Sequence, residues 1–410
     1  MNEIGKRIRK LRKEKKMTLE KLSGDQLSKS MLSLIENGKA QPSMESLHFI
    51  ASRLDVEVNT LLQDDDTEEI RLLLNKAEQL YAEANTKEMY EPIEKLIEPN
   101  ISNLHKRNYE NARLLDLYAR IVYITGTFTE ESYMRDAISR YQELNMINHV
   151  LDCYIHLCLR QFEQHHYKDA LQLLHEAEAQ TEGKQHFINS LSKLDMHYML
   201  TIMYLAVEDI DHAMKHLHKG IDLSKKEKIF YRIDDLYRLI LIHSIMNHDE
   251  KAAEYYMLKL EQYVAFVDDH YASMYFTYVK AHCLNQYKKD YKAALTLLDD
   301  TLNAPKEESL NFSLLFQFEK AYSLWALRRF EEALQLVQDL EIPNYIHHPY
   351  DLAIAYQIYA IRAICYEELG QHEKAMVEIT LGYNLVKQLP KNVYQSFIFD
   401  TYKKITGMNV

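Results

Sequence analysis

The chain has 410 residues, 27% of them charged, a formal net charge of −12, and only nine glycines and seven prolines. Average usage near 7% would give a chain of this length about 29 glycines. Tight-turned sheets, barrels and phosphate-cradling loops all consume glycine, so the composition excludes them and leaves helices joined by short polar loops. No run of about 18 apolar residues is present to span a bilayer, and MNEIGKRIRKLRKEKK carries no apolar segment behind its cations, unlike a secretory signal.

Charge is divided unevenly. Residues 1–62 hold twelve Lys/Arg against eight Asp/Glu, whereas residues 63–410 carry a net −16. A small basic head on a long acidic body can hold phosphates only at the head. In the head, Ile4, Ile8 and Leu11 recur at spacings of four and three, which predicts a helix over 4–14. Thr18 is placed to cap a second helix, with Glu20 in its first turn. A turn at Gly24-Asp25 follows, then a third helix over 28–36 closed by Asn37-Gly38. Pro42-Ser43 opens a fourth helix with Leu47, Ile50, Ala51 and Leu54 on its buried face, and a short fifth holds Leu61 and Leu62. The acidic stretch 63–67 marks the join to the body.

The strings IGKRIRKLRKEKKMTLEKL and LSKSMLSLIENGKAQPSMESLHFIASRLDVEVNTLL resemble the lambda-repressor-like, XRE-type helix-turn-helix domain across nearly all of residues 3–62. In such domains the N-terminal residues of the second helix of the motif meet base edges in the major groove. The resemblance therefore points Ser28, Lys29, Ser30 and Ser33 toward double-stranded DNA, with Thr18, Asn37 and Lys39 on phosphates, which set register rather than sequence. Arg7, Lys10 and Arg12 are expected to add diffuse attraction. Leu19 stands where many relatives carry Gln, and the turn before the third helix is one residue shorter than usual. A head of only +4 suits paired binding to a palindrome, hence a homodimer.

The body repeats. Six units share a position followed by two polar residues and Ala: Ala170, Ala213, Ala252, Ala294, Ala333 and Ala375, with small or medium residues twelve positions earlier. The pattern resembles the tetratricopeptide repeat, with a period near 40 instead of the usual 34 or so. Small residues let paired helices approach closely, and stacked pairs leave a concave inner surface. Residues 67–150 hold one or two more degenerate units. The expected fold is all-α: a lambda-repressor-like domain over 1–63, a linker over 64–70, and a right-handed tetratricopeptide solenoid over 71–410.

This domain order and size resemble the RRNPP group of quorum-sensing regulators, NprR and PlcR members above all. The resemblance implies a cytoplasmic transcription regulator whose repeat groove receives a short signalling peptide. Counting back from each marker alanine to the inner face places Asp195, Tyr198, Asp234, Tyr237, Phe276, Gln286, Phe318, Trp325 and Gln357 in the groove, with Asn285 and Arg238 one position away. Amides would pair a peptide backbone, aromatics would pocket its side chains, and carboxylates would suit an amine.

Enzyme signatures are missing: there is no GxGxxG, P-loop, GxSxG or HExxH. Cys153, Cys158, Cys283 and Cys365 form no CxxC pair and read as reduced core thiols. His212, His216 and His218 lack a matched acid or thiol, so neither metal nor cofactor is expected. The alternative reading is a Rap-like scaffold that docks a response-regulator protein; it requires no DNA-binding head.

Overall fold

The computed structural model describes residues 3–62, 65–127, 131–302 and 313–408, and no β-strand occurs among them. The chain divides into two compact units, Met1–Leu144 and Asn145–Val410.

The first unit begins with α1 (Glu3–Glu14), α2 (Leu19–Ser23), α3 (Lys29–Glu36), α4 (Met44–Arg53) and α5 (Val58–Leu62). Thr18, Ser28 and Ser43 cap α2, α3 and α4, each side chain accepting the amide three residues on. These caps satisfy donors that the first helical turn leaves orphaned. Ile8, Leu22, Leu32, Ile35, Leu47, Ile50, Leu54 and Leu61 form the core beneath them. Each such side chain contributes roughly 1.5–3 kcal/mol relative to exposure. α1 approaches α3 closely because residue 5 is glycine: a Cβ there would lie 2.0 Å from the Ile35 carbonyl oxygen.

Four further helices complete this unit: α6 (Asp65–Glu83), α7 (Lys87–Ile97), α8 (Tyr109–Thr125) and α9 (Ser132–Glu143). Residues 65–70, expected as linker, are instead the first turns of α6; Gln63 and Asp64 lie outside the described residues. Acidic residues favour a helix N-terminus as readily as a solvated connection, which is why the run misleads.

The second unit is a series of helix pairs: α10 (Ile147–Glu163) with α11 (Tyr167–Gln180), α12 (Ser190–Ala206) with α13 (Ile210–Glu227), α14 (Ile233–Met246) with α15 (Glu250–Val267), α16 (His270–His282) with α17 (Tyr291–Leu302), α18 (Ser313–Ala326) with α19 (Phe330–Val337), and α20 (Pro349–Glu368) with α21 (His372–Val386). α22 (Ser396–Thr406) packs on the last pair. One local geometry recurs in all six turns. A residue with φ between 53° and 76° (His165, Glu208, His248, Lys289, Arg328, Gly370) precedes the cap residue of the next helix. Four residues beyond each cap, a buried alanine donates its amide back to the cap carbonyl: Ala170, Ala213, Ala253, Ala294, Ala333 and Ala375. Only the last turn uses glycine for its left-handed residue, which is how six turns coexist with so few glycines.

This regularity corrects one marker. In the third pair the buried alanine is Ala253, whereas Ala252 is only half-buried. A second irregularity follows α16, where Cys283–Lys288 form a π-helical turn. Such a turn inserts one extra residue and rotates everything before it by one position.

Candidate functional site

In the second unit a cavity of about 660 Å³ opens among the inner helices. α10 and α12 supply Phe162, Tyr198, Ile202 and Leu205; α14 supplies Leu239, Ile242, His243 and Met246. Tyr271, Tyr275 and Tyr278 come from α16, Leu315 and Phe318 from α18, and Tyr350, Asp351, Ile354 and Ile358 from α20. The connection from α19 to α20 adds Leu340, Ile342, Pro343, Tyr345, His347 and His348. It reaches across to the first pair, where the Tyr167 hydroxyl donates to the His347 carbonyl at 2.8 Å and the Phe162 ring meets the His347 ring at 6.0 Å. The lining is thus apolar and aromatic, with a few polar groups that fix orientation, the usual character of a ligand site. Burial drives the Tyr278 phenol well above its ordinary range and pushes Tyr275 up to about 12, the latter against the pull of Arg238. Burial also depresses His348 and His243, so these rings are neutral donors or acceptors near pH 7.

Of the residues expected in the groove, Tyr198 and Phe318 line this cavity. The others are engaged elsewhere. Asp195 accepts Arg232 Nε at 3.0 Å and the Tyr231 hydroxyl at 2.9 Å. Asp234 accepts Arg238 Nη1 at 3.1 Å, Arg238 also pairs with Asp235, and its guanidinium lies 4.1 Å from the Tyr275 centroid. The two carboxylates expected to receive an amine are therefore paired with the chain's own arginines. Tyr237 is buried against Tyr256, as expected once the marker moves to Ala253 and Arg238 takes its inner-face position. Phe276 packs in the helix-pair core beside Lys280; the π-helical turn has rotated Tyr275 and Tyr278 to the cavity in its place.

The amides are spent on the fold as well. Asn285 is 1% exposed; it donates to Glu319 Oε2 at 2.8 Å and accepts from the Ser323 hydroxyl at 2.7 Å. Glu319 is fully buried and its second oxygen meets His282 Nδ1 at 2.7 Å. Gln286 donates to Gln357 Oε1 at 3.2 Å, and Gln357 donates to the Tyr394 carbonyl at 3.2 Å. Trp325 stacks edge-on between Tyr322 and Phe397. Sequence reading missed the tyrosines of α16, the first turn of α20 and the whole α19–α20 connection.

The basic head presents a second candidate surface. Lys29, Ser30 and Lys39 are exposed and Ser33 is half-buried on the outward side of α3. Thr18 and Ser28 accept capping amides at 3.1 Å, which leaves each hydroxyl proton to donate outward. Asn37 Nδ2 donates to the Ser33 carbonyl at 2.8 Å and so closes the end of α3. Met31 and Leu34, exposed at 43% and 42%, share this side and were not singled out from the sequence. Residues 5–66 match the helix-turn-helix domain family.

A search of curated proteins found no match. Among solved structures the chain is similar to Bacillus thuringiensis PlcR in complex with the peptide PapR7 and DNA (18% identity, 67% of this chain and 99% of that one, TM-score 0.36). It is also similar to the Streptococcus dysgalactiae SHP pheromone receptor Rgg2 (19%, 70% and 100%, 0.30) and to the apo competence regulator ComR of Streptococcus vestibularis (17%, 69% and 97%, 0.32).

Within the helix-turn-helix domain two cations expected to attract DNA are structural. Arg7 is 7% exposed and donates to the Leu61 carbonyl at 2.8 Å, tying α1 to α5. Arg12 grips Glu36 with two bonds of 2.6 and 2.7 Å and donates to the Met17 carbonyl at 2.9 Å. Their periodicity already placed them beside the apolar stripe of α1, where long cations pair or cap instead of facing solvent.

All four cysteines are free and buried, and burial pushes Cys158, Cys283 and Cys365 up to about 12. Among the described residues no group of three His, Cys, Asp or Glu is placed to hold a metal, and no helix is long and apolar enough to cross a membrane.

Proposed function

We propose that the chain is a transcription regulator of the peptide-controlled kind, in which residues 1–63 bind an operator and the repeat body receives a short peptide and joins two copies. The observation that carries the reading is the pairing of a helix-turn-helix domain, with its α3 surface exposed, to a helical-repeat unit that encloses an aromatic-lined cavity. Lys29, Ser30 and Ser33 meet the major groove, Met31 and Leu34 offer apolar contact to thymine methyls, and Thr18, Ser28, Asn37 and Lys39 set the register on phosphates. Tyr198 and Phe318, together with the tyrosines of α16, pocket peptide side chains. A homodimer on a palindromic site compensates for the small charge of one head. The protein works in the cytoplasm and needs no cofactor. A scaffold for a response regulator leaves the DNA-binding head without a task, and nothing in the repeat unit favours it.

The test is fluorescence anisotropy of the full chain on DNA flanking its own gene at several salt concentrations. A protein that neutralises Z phosphates shows a log–log salt slope near −0.9Z. Lys29→Ala and Lys39→Ala are each expected to weaken binding and to reduce that slope by about 1 for every phosphate left without its cation. Equal affinity for flanking and scrambled DNA, with both variants indistinguishable from wild type, refutes the DNA-binding reading.

A further inference from the structure

Among the described residues the cavity lining contains one carboxylate, Asp351, and neither lysine nor arginine. Asp351 is exposed in the first turn of α20, whose N-terminal dipole favours an anion there. The neighbouring carboxylates differ sharply from it: Asp195, Asp234 and Asp235 are all paired with Arg232 or Arg238. Asp351 forms no ion pair with any described residue. Around it stand Tyr275, Tyr278, Tyr394 and His348, each of which feels its charge. A carboxylate at the mouth of a tyrosine-walled space attracts a cation twice, by direct charge and through the ring faces. An anionic ligand would be repelled by the Asp351 carboxylate, and the desolvated neighbours would sharpen that repulsion.

We infer that the peptide received by this cavity carries bulky apolar side chains beside one amine or guanidinium, and that Asp351 selects that cation. The inference rests on the groove being the peptide site and goes further, since it names the residue that decides between charged ligands. The apolar side chains fill the space between Tyr198, Ile202, Phe318 and Ile354. The cation remains at the mouth, half-solvated against Asp351, where it avoids the full cost of burial.

The experiment uses the immobilised full-length protein and three pools of N-acetylated, amidated pentapeptides. Each pool is built from Phe, Tyr, Leu, Ile and Val, with Lys, norleucine or Glu at one position, and retained peptides are quantified by mass spectrometry. Wild type should retain the Lys pool at least tenfold over the norleucine and Glu pools. Asp351→Asn should bring Lys to within twofold of norleucine with norleucine retention unchanged, and Asp351→Lys should favour the Glu pool. Equal retention of Lys and norleucine by wild type, with Asp351→Asn silent, overturns the assignment and leaves the groove as a peptide site. Retention of none of the pools removes both. Asp351 is exposed, and a norleucine signal equal to wild type shows that each variant is folded.

Discussion

Replacing Arg12 with methionine tests what holds α3 in place. The guanidinium makes two bonds to Glu36 and one to the Met17 carbonyl, and the two side chains are 11% and 4% exposed. Removing one partner of such a pair strands a buried carboxylate at a cost of about 3–5 kcal/mol. A five-helix domain of some 60 residues has a stability of roughly 3–9 kcal/mol at typical values per residue. Arg12→Met should therefore consume a large share of that stability and release α3 first, because Glu36 is its last residue. Hydrogen exchange of the α3 amides in the full chain reads this directly, as protection reduced by roughly two to four orders of magnitude. Because the pair is buried, added salt should restore little of it. The double variant Arg12→Met/Glu36→Leu removes the stranded charge and should recover most of the loss, since apolar replacements of buried pairs are often neutral or better. Unchanged α3 exchange in the single variant, or a double variant as unstable as the single, would refute the reasoning.

Two further outcomes concern close approaches within each unit. Gly5→Ala drives a methyl into the Ile35 carbonyl; it should destabilise the helix-turn-helix domain by about 1–3 kcal/mol, read as faster exchange in α1 and α3, and wild-type exchange would show that the helices can part at no cost. In the second unit His197 Nδ1 and His216 Nδ1 lie 3.2 Å apart, and both rings are held down to about 4, chiefly by burial, then by Lys219 and Lys193 for His197 and by His197 and nearby lysines for His216. Their folded values lie below the unfolded value near 6.5, so the unfolded chain binds more protons and stability falls as pH drops from about 6.5 toward 4. The loss, after allowance for screening of the half-buried His197, is on the order of 1–3 kcal/mol. A His197→Gln/His216→Gln variant should show a smaller fall in Tm between pH 7 and 5; an identical fall would locate the acid sensitivity elsewhere.

The head was legible almost residue by residue, because caps, a glycine turn and an apolar stripe are local signals. The repeat frame was legible too, since the hairpin turn fixes an alanine four residues beyond each cap. The site was much less so, for three physical reasons. Ala252 and Ala253 are adjacent, and only packing distinguishes them, so the third pair reads one position off. The π-helical turn after α16 adds a residue that no sequence pattern announces, which exchanged Tyr275 and Tyr278 for Phe276. Finally, the carboxylates and amides that suited a peptide found partners within the fold: Asp195 and Asp234 took arginines, and Asn285 took Glu319. Side chains chosen by chemistry alone cannot be distinguished from those whose chemistry is already used.

The hydrogen bond from Tyr167 to the carbonyl of His347 joins residues 180 apart in sequence. A simple array of stacked units melts as a chain of neighbours, each loosening at its own free energy. Here the opening pair of the second unit is fastened to the segment leading into its sixth, so neither can fray without disturbing the other. Such a brace adds a long-range link to a linear stack, worth about 1 kcal/mol, and it couples the opening of the first pair to that of the segment before the sixth.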